Sequence, residues 1–139
     1  MSTAVCKGPC PKGYRQMLLA VSGGTLEGYI RQAMTDTNGK LCLRLSPQYI
    51  DFPLPCSDGC GQELTAQDLK ECYDGQTVHF SPELVMEYFT YLSSGQQLHV
   101  VLYDSQKTLR EKYRLAKHLG VPSIQIPDPN LRRLINAKG

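Results

Sequence analysis

The fold is indicated most clearly by residues 98–136, which read LHVVLYDSQKTLREKYRLAKHLGVPSIQIPDPNLRRLIN. The stretch predicts a strand, a helix, a strand and a helix in turn: Leu98–Tyr103, Ser105–Leu119, Ser123–Ile126 and Asn130–Asn136. This order is typical of a βαβ unit, in which two parallel strands of one sheet are joined by a right-handed crossover. We therefore predict a C-terminal βαβα unit.

The residues before this stretch predict a part that is richer in strands. The expected elements are a strand at 14–21, a strand at 41–45, an extended segment at 49–54 and short helices at 66–73 and 81–92. Residues 25–34 fit either a helix or a strand, and we favour the helix. Ser81-Pro82-Glu83 has the cap, the first-turn proline and the acidic residue that open a helix, so we expect the last of these helices to be well formed.

Composition limits the class of protein. The chain has 139 residues, a hydrophobic fraction of 41% and a net charge of +2, which predicts a folded globular chain. Its longest apolar run is Met17–Val21, far below the roughly 20 residues of a membrane span. We predict an α+β fold, with a zinc-stapled, β-rich part at residues 1–78 and the βαβα part at residues 79–139, packed as one unit.

Four of the six cysteines form two pairs with the same spacing. Cys6-Lys-Gly-Pro-Cys10 and Cys56-Ser-Asp-Gly-Cys60 are both C-x3-C and both contain glycine. Zinc binds thiolates tetrahedrally, and two tight turns can supply four sulfur ligands. We therefore predict structural zinc as the cofactor. A site closed by four thiolates leaves no position for water, so this zinc would stabilise the fold and would not catalyse hydrolysis.

Other fates of the cysteines stay open at this point. Disulfides, unligated thiols or an iron–sulfur cluster are alternatives for the paired cysteines, and Cys42 and Cys72 are expected to be buried as small apolar residues. The N-terminus lacks the basic and apolar regions of a secretory signal, so we predict a cytoplasmic protein, in which structural disulfides are rare.

Basic residues are concentrated near the C-terminus. Residues 98–139 hold 8 Lys and Arg against 3 Asp and Glu, whereas residues 1–97 hold 7 against 10. Four of the basic residues follow the spacing of one helix face, and two lie on the last helix: Lys107, Arg110, Arg114, Lys117, Arg132 and Arg133. Such a stripe can bind nucleic acid or an acidic protein surface, although it can also be a solvated helix face.

Catalysis is not expected from these motifs. Asp104 and Asp128 follow the two predicted parallel strands and could hold a metal ion for nucleic-acid chemistry, but a helix cap and a turn explain them more simply. His99 is expected to be a hydrogen-bonded core residue. We predict a non-enzymatic zinc-containing adaptor that binds nucleic acid or an acidic protein through the basic helix. The alternatives are a metal-dependent nucleic-acid enzyme using Asp104 and Asp128, and a structural subunit of a larger assembly.

Overall fold

A computed structural model describes residues 3–6, 8–18, 24–55 and 61–137. Its elements, in chain order, are β1 Ala4–Cys6, β2 Arg15–Leu18, α1 Leu26–Asp36, β3 Leu41–Arg44, β4 Tyr49–Leu54, β5 Gln62–Glu63, α2 Ala66–Cys72, β6 His79–Ser81, β7 Met86–Leu92, β8 Leu98–Tyr103, α3 Gln106–His118, β9 Ser123–Gln125 and α4 Pro129–Ala137. The chain divides into two compact units: Met1–Ser46 with Gln106–Gly139 is unit 1, and Pro47–Ser105 is unit 2.

Unit 1 is built on a parallel sheet with the strand order β1-β9-β3-β2. In this register Leu43 pairs with both Ile124 and Met17, so these three side chains share one face. Leu43 and Ile124 are completely buried. The alternate positions Cys42 and Ser123 point to the opposite face, because successive side chains of a strand alternate.

The helix predicted at 25–34 is confirmed as α1. The Thr25 hydroxyl accepts a hydrogen bond from the Gly28 backbone N–H at 3.0 Å, which caps the first turn. Three side chains at helical spacing are buried: Leu26, Ile30 and Ala33. The chain leaves the helix through Asn38 and Gly39, both with positive φ, as the Asn-Gly sequence predicts.

Unit 1 also contains a disulfide. Cys10, in the loop before β2, is bonded to the buried Cys42 on β3, and 32 positions separate the two residues in sequence. Closing a loop of this length lowers the conformational entropy of the unfolded chain, which stabilises the folded one.

Unit 2 is built on an antiparallel sheet with the strand order β5-β4-β8-β7-β6. Phe89 on β7 pairs with Val101 on β8, and both side chains are fully buried. Tyr73, just after α2, packs edge-on against Phe89, with ring centroids 5.5 Å apart. Gly61 approaches the other face closely, because a Cβ there would lie 2.5 Å from Ile50 Cγ2. A side chain at position 61 would therefore displace β4 residues.

The helix predicted at 81–92 is wrong. The Ser81 hydroxyl does accept a hydrogen bond from the Leu84 N–H, but Val85 has a positive φ of 55° and ends the turn. The chain then enters β7, which pairs with β6 on one side and β8 on the other. Pairing on both edges outweighs the local helix signal, since a cap supplies only about 1 kcal/mol.

The predicted βαβ unit is also wrong, although its two strands and two helices are present. β8 lies between β4 and β7 in the antiparallel sheet, whereas β9 lies between β1 and β3 in the parallel sheet. The two strands therefore belong to different sheets. The compact units of the structure meet at residues 46 and 105, and the predicted domain boundary between 78 and 79 stays a prediction. The broad prediction of a mixed fold of helices and strands is confirmed.

The helices of the described residues are short. The longest, α3, has 13 residues, and none of those described is long and apolar enough to cross a membrane.

The disulfide gives a testable prediction for stability. Cys10→Ser should lower the free energy of unfolding by about 4 kcal/mol, as the chain-entropy model gives for a loop of this size. Urea unfolding with and without a reductant measures this loss. Reduction should destabilise the wild type to a similar extent and leave Cys10→Ser unchanged, and Cys6→Ser should respond to reductant as the wild type does. Equal unfolding midpoints for the oxidised and reduced wild type would contradict the assignment.

Candidate functional site

The candidate site lies in unit 2 and is centred on Asp51, in the middle of β4. Asp51 pairs with Val101 on β8, and His99 lies two residues before Val101, so both side chains point to the same face of the sheet. Tyr91 on β7 pairs directly with His99 and shares this face. The antiparallel register therefore brings together three polar side chains that are far apart in sequence.

Both carboxylate oxygens of Asp51 are hydrogen-bonded. His99 Nδ1 lies 2.8 Å from Asp51 Oδ1, and the Tyr91 hydroxyl donates to Oδ2. An ionised carboxylate can only accept, so Nδ1 carries the hydrogen and Nε2 is left as the second polar atom of the imidazole. The Tyr91 and His99 rings are stacked, with centroids 4.7 Å apart and planes 12° apart. We call these three residues the Asp51 cluster.

The Asp51 cluster forms part of the wall of an open pocket of about 390 Å³. The lining residues are Asp51, Pro53, Gly61, Gln62, Gln97 and His99. Four of them carry polar side chains, which together offer a carboxylate, an imidazole and two amides. Such groups both donate and accept hydrogen bonds, as a ligand rich in hydroxyl groups requires. We call this cavity the carboxylate pocket.

Cys72, the last residue of α2, lies close to the Asp51 cluster but is poorly suited to act as a nucleophile. Burial and the negative charge of Asp51 raise the pKa of its thiol, and the hydrogen bond with Tyr91 offsets this only in part. A reactive cysteine needs the opposite shift, because the thiolate is the nucleophile. Cys72 is therefore not expected to act as a nucleophile.

A second group of polar side chains lies where the parallel strands of unit 1 end. Cys6 pairs with Gln125, and Arg44 pairs with the same residue from the other side, so the three share one face. The Gln125 amide donates to the Gly8 carbonyl at 2.8 Å, and Arg44 is exposed. The carboxyl ends of parallel strands are common ligand sites.

The predicted zinc site is not supported. Cys10, one of the four predicted ligands, is bonded to Cys42, and a disulfide sulfur is not available as a thiolate ligand. Cys6 is a free, half-buried thiol whose Sγ lies 3.7 Å from Ser123 Oγ. Cys56 and Cys60 lie outside the described residues. Within the described ranges, no group of three or more His, Cys, Asp or Glu side chains could hold a metal ion. The prediction of a zinc-binding protein is therefore wrong for this part of the chain.

The basic residues occupy the outer face of α3, as the spacing predicts. Lys107, Arg114 and Lys117 are exposed, whereas Leu109 and Ala116 are buried. The face is partly neutralised, because Arg114 pairs with Glu111 at 2.8 Å.

The remaining predicted basic residues differ in role. Arg110 is half-buried and Arg133 is exposed. The guanidinium of Arg132 donates to the carbonyl oxygens of Ile126 and Pro127, at 2.7 and 2.8 Å, which fixes the chain between β9 and α4. Arg132 therefore stabilises the backbone between β9 and α4.

The two carboxylates considered for a metal-dependent enzyme have structural roles. Asp104 is buried, and its Oδ2 accepts from the Gln48 N–H at 3.1 Å. Asp128 Oδ1 accepts from the Asn130 N–H at 2.9 Å at the start of α4. The two residues belong to different units. The contact of Asp128 agrees with the predicted turn, whereas the Asp104 contact joins it to Gln48 and leaves the predicted cap of α3 a prediction.

Comparison with solved structures shows which proteins have a similar fold. The chitinase from Chromobacterium violaceum matches 89% of this chain and 44% of its own, with 14% identity and a TM-score of 0.64. The spore cortex-lytic enzyme SleL from Bacillus cereus matches with 14% identity and a TM-score of 0.64, over 89% of this chain and 35% of its own. SleL from Bacillus megaterium matches with 18% identity and a TM-score of 0.61, over 97% and 33%.

The fold resembles that of glycoside hydrolases. At these identities the likeness concerns the fold alone, and the chain spans less than half the length of each of these proteins. A scan against protein-family models and a search of curated protein sequences found no match.

This finding overturns the predicted function and partner. The proteins whose fold is similar are a chitinase and spore cortex-lytic enzymes, and not nucleic-acid binders or adaptor proteins. The prediction of a zinc-containing adaptor that acts through its basic helix is wrong. The two alternatives, a nucleic-acid enzyme using Asp104 and Asp128 and a structural subunit, are equally unsupported.

Sequence reasoning missed most of the carboxylate pocket. His99 was expected to be a hydrogen-bonded residue of the apolar strand, and its bond to Asp51 agrees with this. None of the site residues predicted from the sequence is Asp51, Gln62 or Gln97. A signal was available in Asp51, because a carboxylate in the middle of an extended apolar segment must find partners when it is buried.

The tyrosines of unit 2 give a prediction for alkaline pH. Burial and hydrogen bonds to Asp51 and Glu87 raise the pKa values of Tyr91 and Tyr103 well above the ordinary value near 10. Above that pH the unfolded chain releases protons that the folded chain retains, so stability should fall as pH rises. Tyrosinate absorbance should show a late phase that is missing from Tyr91→Phe/Tyr103→Phe. A wild type whose eight tyrosines all ionise together near pH 10 would contradict the buried hydrogen bonds.

Proposed function

We propose that the chain is part of a carbohydrate-processing protein and that its carboxylate pocket binds a glycan containing N-acetylglucosamine. The observation that carries the proposal is the fold shared with a chitinase and with spore cortex-lytic enzymes. Because the chain spans only part of those proteins, the similar fold does not by itself show that the chain has their activity. The chemistry of the pocket supplies the independent support.

The pocket suits a sugar in both size and polarity. Its volume of about 390 Å³ lies in the range typical of small-ligand sites. Gln62 and Gln97 can each donate and accept, and His99 Nε2 can do either according to its protonation. Asp51 holds His99 in place through Nδ1, which leaves Nε2 for the ligand. Sugar hydroxyls and an acetamido group match this set of donors and acceptors.

The same contacts favour binding over bond cleavage in this pocket. Most glycosidases use two carboxyl groups that flank the scissile bond. Asp51 is buried, and both of its oxygens are engaged by Tyr91 and His99, so it is a positioning residue for His99 and not a free acid or nucleophile. We assign glycan binding to unit 2 and expect any hydrolysis to depend on other residues of the processing protein.

The cellular location belongs to the proposal as well. The cytoplasmic location expected from the N-terminal sequence stays a prediction. The Cys10–Cys42 disulfide is more typical of an oxidising compartment, in which such bonds persist. Free-thiol counting on protein prepared from its natural source distinguishes the two.

The binding proposal can be tested with a tetramer of N-acetylglucosamine. Titration calorimetry should show saturable binding by the wild type and at least tenfold weaker binding by Gln62→Ala/Gln97→Ala. Each lost hydrogen bond removes about 1 kcal/mol, and two of them exceed a factor of ten. The matched control is Gln67→Ala, because Gln67 is an exposed glutamine on α2 outside the pocket.

Two results would contradict the proposal. One is a wild type that does not bind the tetramer at millimolar concentration. The other is a folded double variant that binds it as tightly as Gln67→Ala. Circular dichroism of each variant shows whether a loss of binding reflects a loss of fold.

A further inference from the structure

Unit 2 contains a second cavity whose chemistry differs from that of the carboxylate pocket. It has a volume of about 270 Å³ and is open to solvent. Its lining residues come from α2, the segment that follows it, β7 and β8: Leu69, Lys70, Tyr73, Val78, Phe89 and Tyr103. We call it the aromatic pocket. It shares no lining residue with the carboxylate pocket, so ligand binding at the two pockets can be tested separately.

Three aromatic rings give the cavity fixed walls. Phe89 is 1% exposed and lies between the other two rings, with centroids 5.5 Å from Tyr73 and 5.9 Å from Tyr103. The Tyr103 hydroxyl donates to Glu87 Oε2 at 3.0 Å, and Ser105 donates to the other carboxylate oxygen of Glu87 at 3.1 Å. The polar end of Tyr103 is therefore satisfied by Glu87. Its ring remains as an apolar surface for a ligand.

The rim leaves apolar surface in contact with water. Tyr73 is 46% exposed and Val78 is 38% exposed, although both line the cavity. Covering apolar surface is favourable by about 25 cal/mol per Å². A ligand that fills the cavity therefore gains from the contact with both side chains and with the ring edges. Aromatic ligands gain further from edge-to-face contacts with these rings.

The charge of the ligand is indicated by Lys70. It is the one cationic side chain among the six that line the cavity, and it is exposed on the last turn of α2. Lys70 forms no ion pair with another described residue. Its four-carbon stem can lie along the apolar wall while the ammonium group stays at the rim. An anionic group at that rim would be paired with Lys70 while the ring enters the cavity.

We propose that the aromatic pocket binds a small aromatic carboxylate, with the ring against Tyr73, Phe89 and Tyr103 and the carboxylate on Lys70. The size agrees, because a dry cavity of about 150 Å³ is enough for benzene. A volume of about 270 Å³ holds one ring and a short side chain. A ligand with so few atoms binds in the millimolar to micromolar range.

The probe for this proposal is 3-phenylpropanoate, compared with 3-phenylpropanol and 3-phenylpropylammonium, which keep the ring and change the charge. Titrations followed by protein NMR should give saturable shifts at Leu69, Val78 and Phe89. The carboxylate should bind about three- to tenfold more tightly than the alcohol, and the ammonium compound should bind most weakly. Equal affinities for the three compounds would overturn the role of Lys70.

Two variants separate charge from shape. Lys70→Glu should weaken binding of the carboxylate at least fivefold and should favour the ammonium compound. Lys117→Glu is the matched control, because Lys117 is also exposed in the last turn of a helix, in unit 1. Val78→Phe should fill the cavity and weaken all three compounds at least tenfold, and its position at the exposed rim spares the core. The proposal is overturned by a wild type without saturable binding, by unchanged affinity in folded Val78→Phe, or by equal effects of Lys70→Glu and Lys117→Glu.

Discussion

The buried carboxylate of Asp51 is the constraint on which the organisation of unit 2 depends. A carboxylate removed from water without partners costs several kcal/mol, and breaking a buried pair commonly costs 3–5 kcal/mol. Asp51 therefore requires both the imidazole of His99 and the hydroxyl of Tyr91. These partners lie on two different strands, so satisfying one side chain requires β4, β8 and β7 to adopt the observed register.

One face of this sheet carries two kinds of surface, a polar one around Asp51 and an apolar one around Phe89. Around Asp51, the amides of Gln62 and Gln97 join His99 in a polar cavity. Around Phe89, the rings of Tyr73 and Tyr103 form an apolar one. A hydroxyl-rich ligand and an aromatic ligand would therefore bind at separate places on the same unit. None of the residues that line either cavity belongs to α3, which is part of unit 1.

The sequence predicted most of the elements but not how they pair. α1 has a local cap and an apolar stripe, α3 has buried residues at helical spacing, and both helices form as predicted. The segment after Ser81 has an equally good cap, yet it becomes β7 because β6 and β8 lie on either side of it. The partner of a strand is a long-range choice that local patterns do not encode. The repeated C-x3-C spacing predicted a zinc ligand at Cys10 and was wrong for the same reason, because Cys10 forms a disulfide with the distant Cys42.

The proposed role of Asp51 is to orient His99 toward a glycan in the carboxylate pocket. The most direct test is NMR of the histidine ring nitrogens in labelled protein, with and without the N-acetylglucosamine tetramer. We expect His99 to carry its hydrogen on Nδ1 and its Nε2 signal to shift on titration, whereas the signals of His79 and His118 should not shift. A His99 that carries its hydrogen on Nε2, or whose Nε2 signal does not shift on titration, would contradict this role.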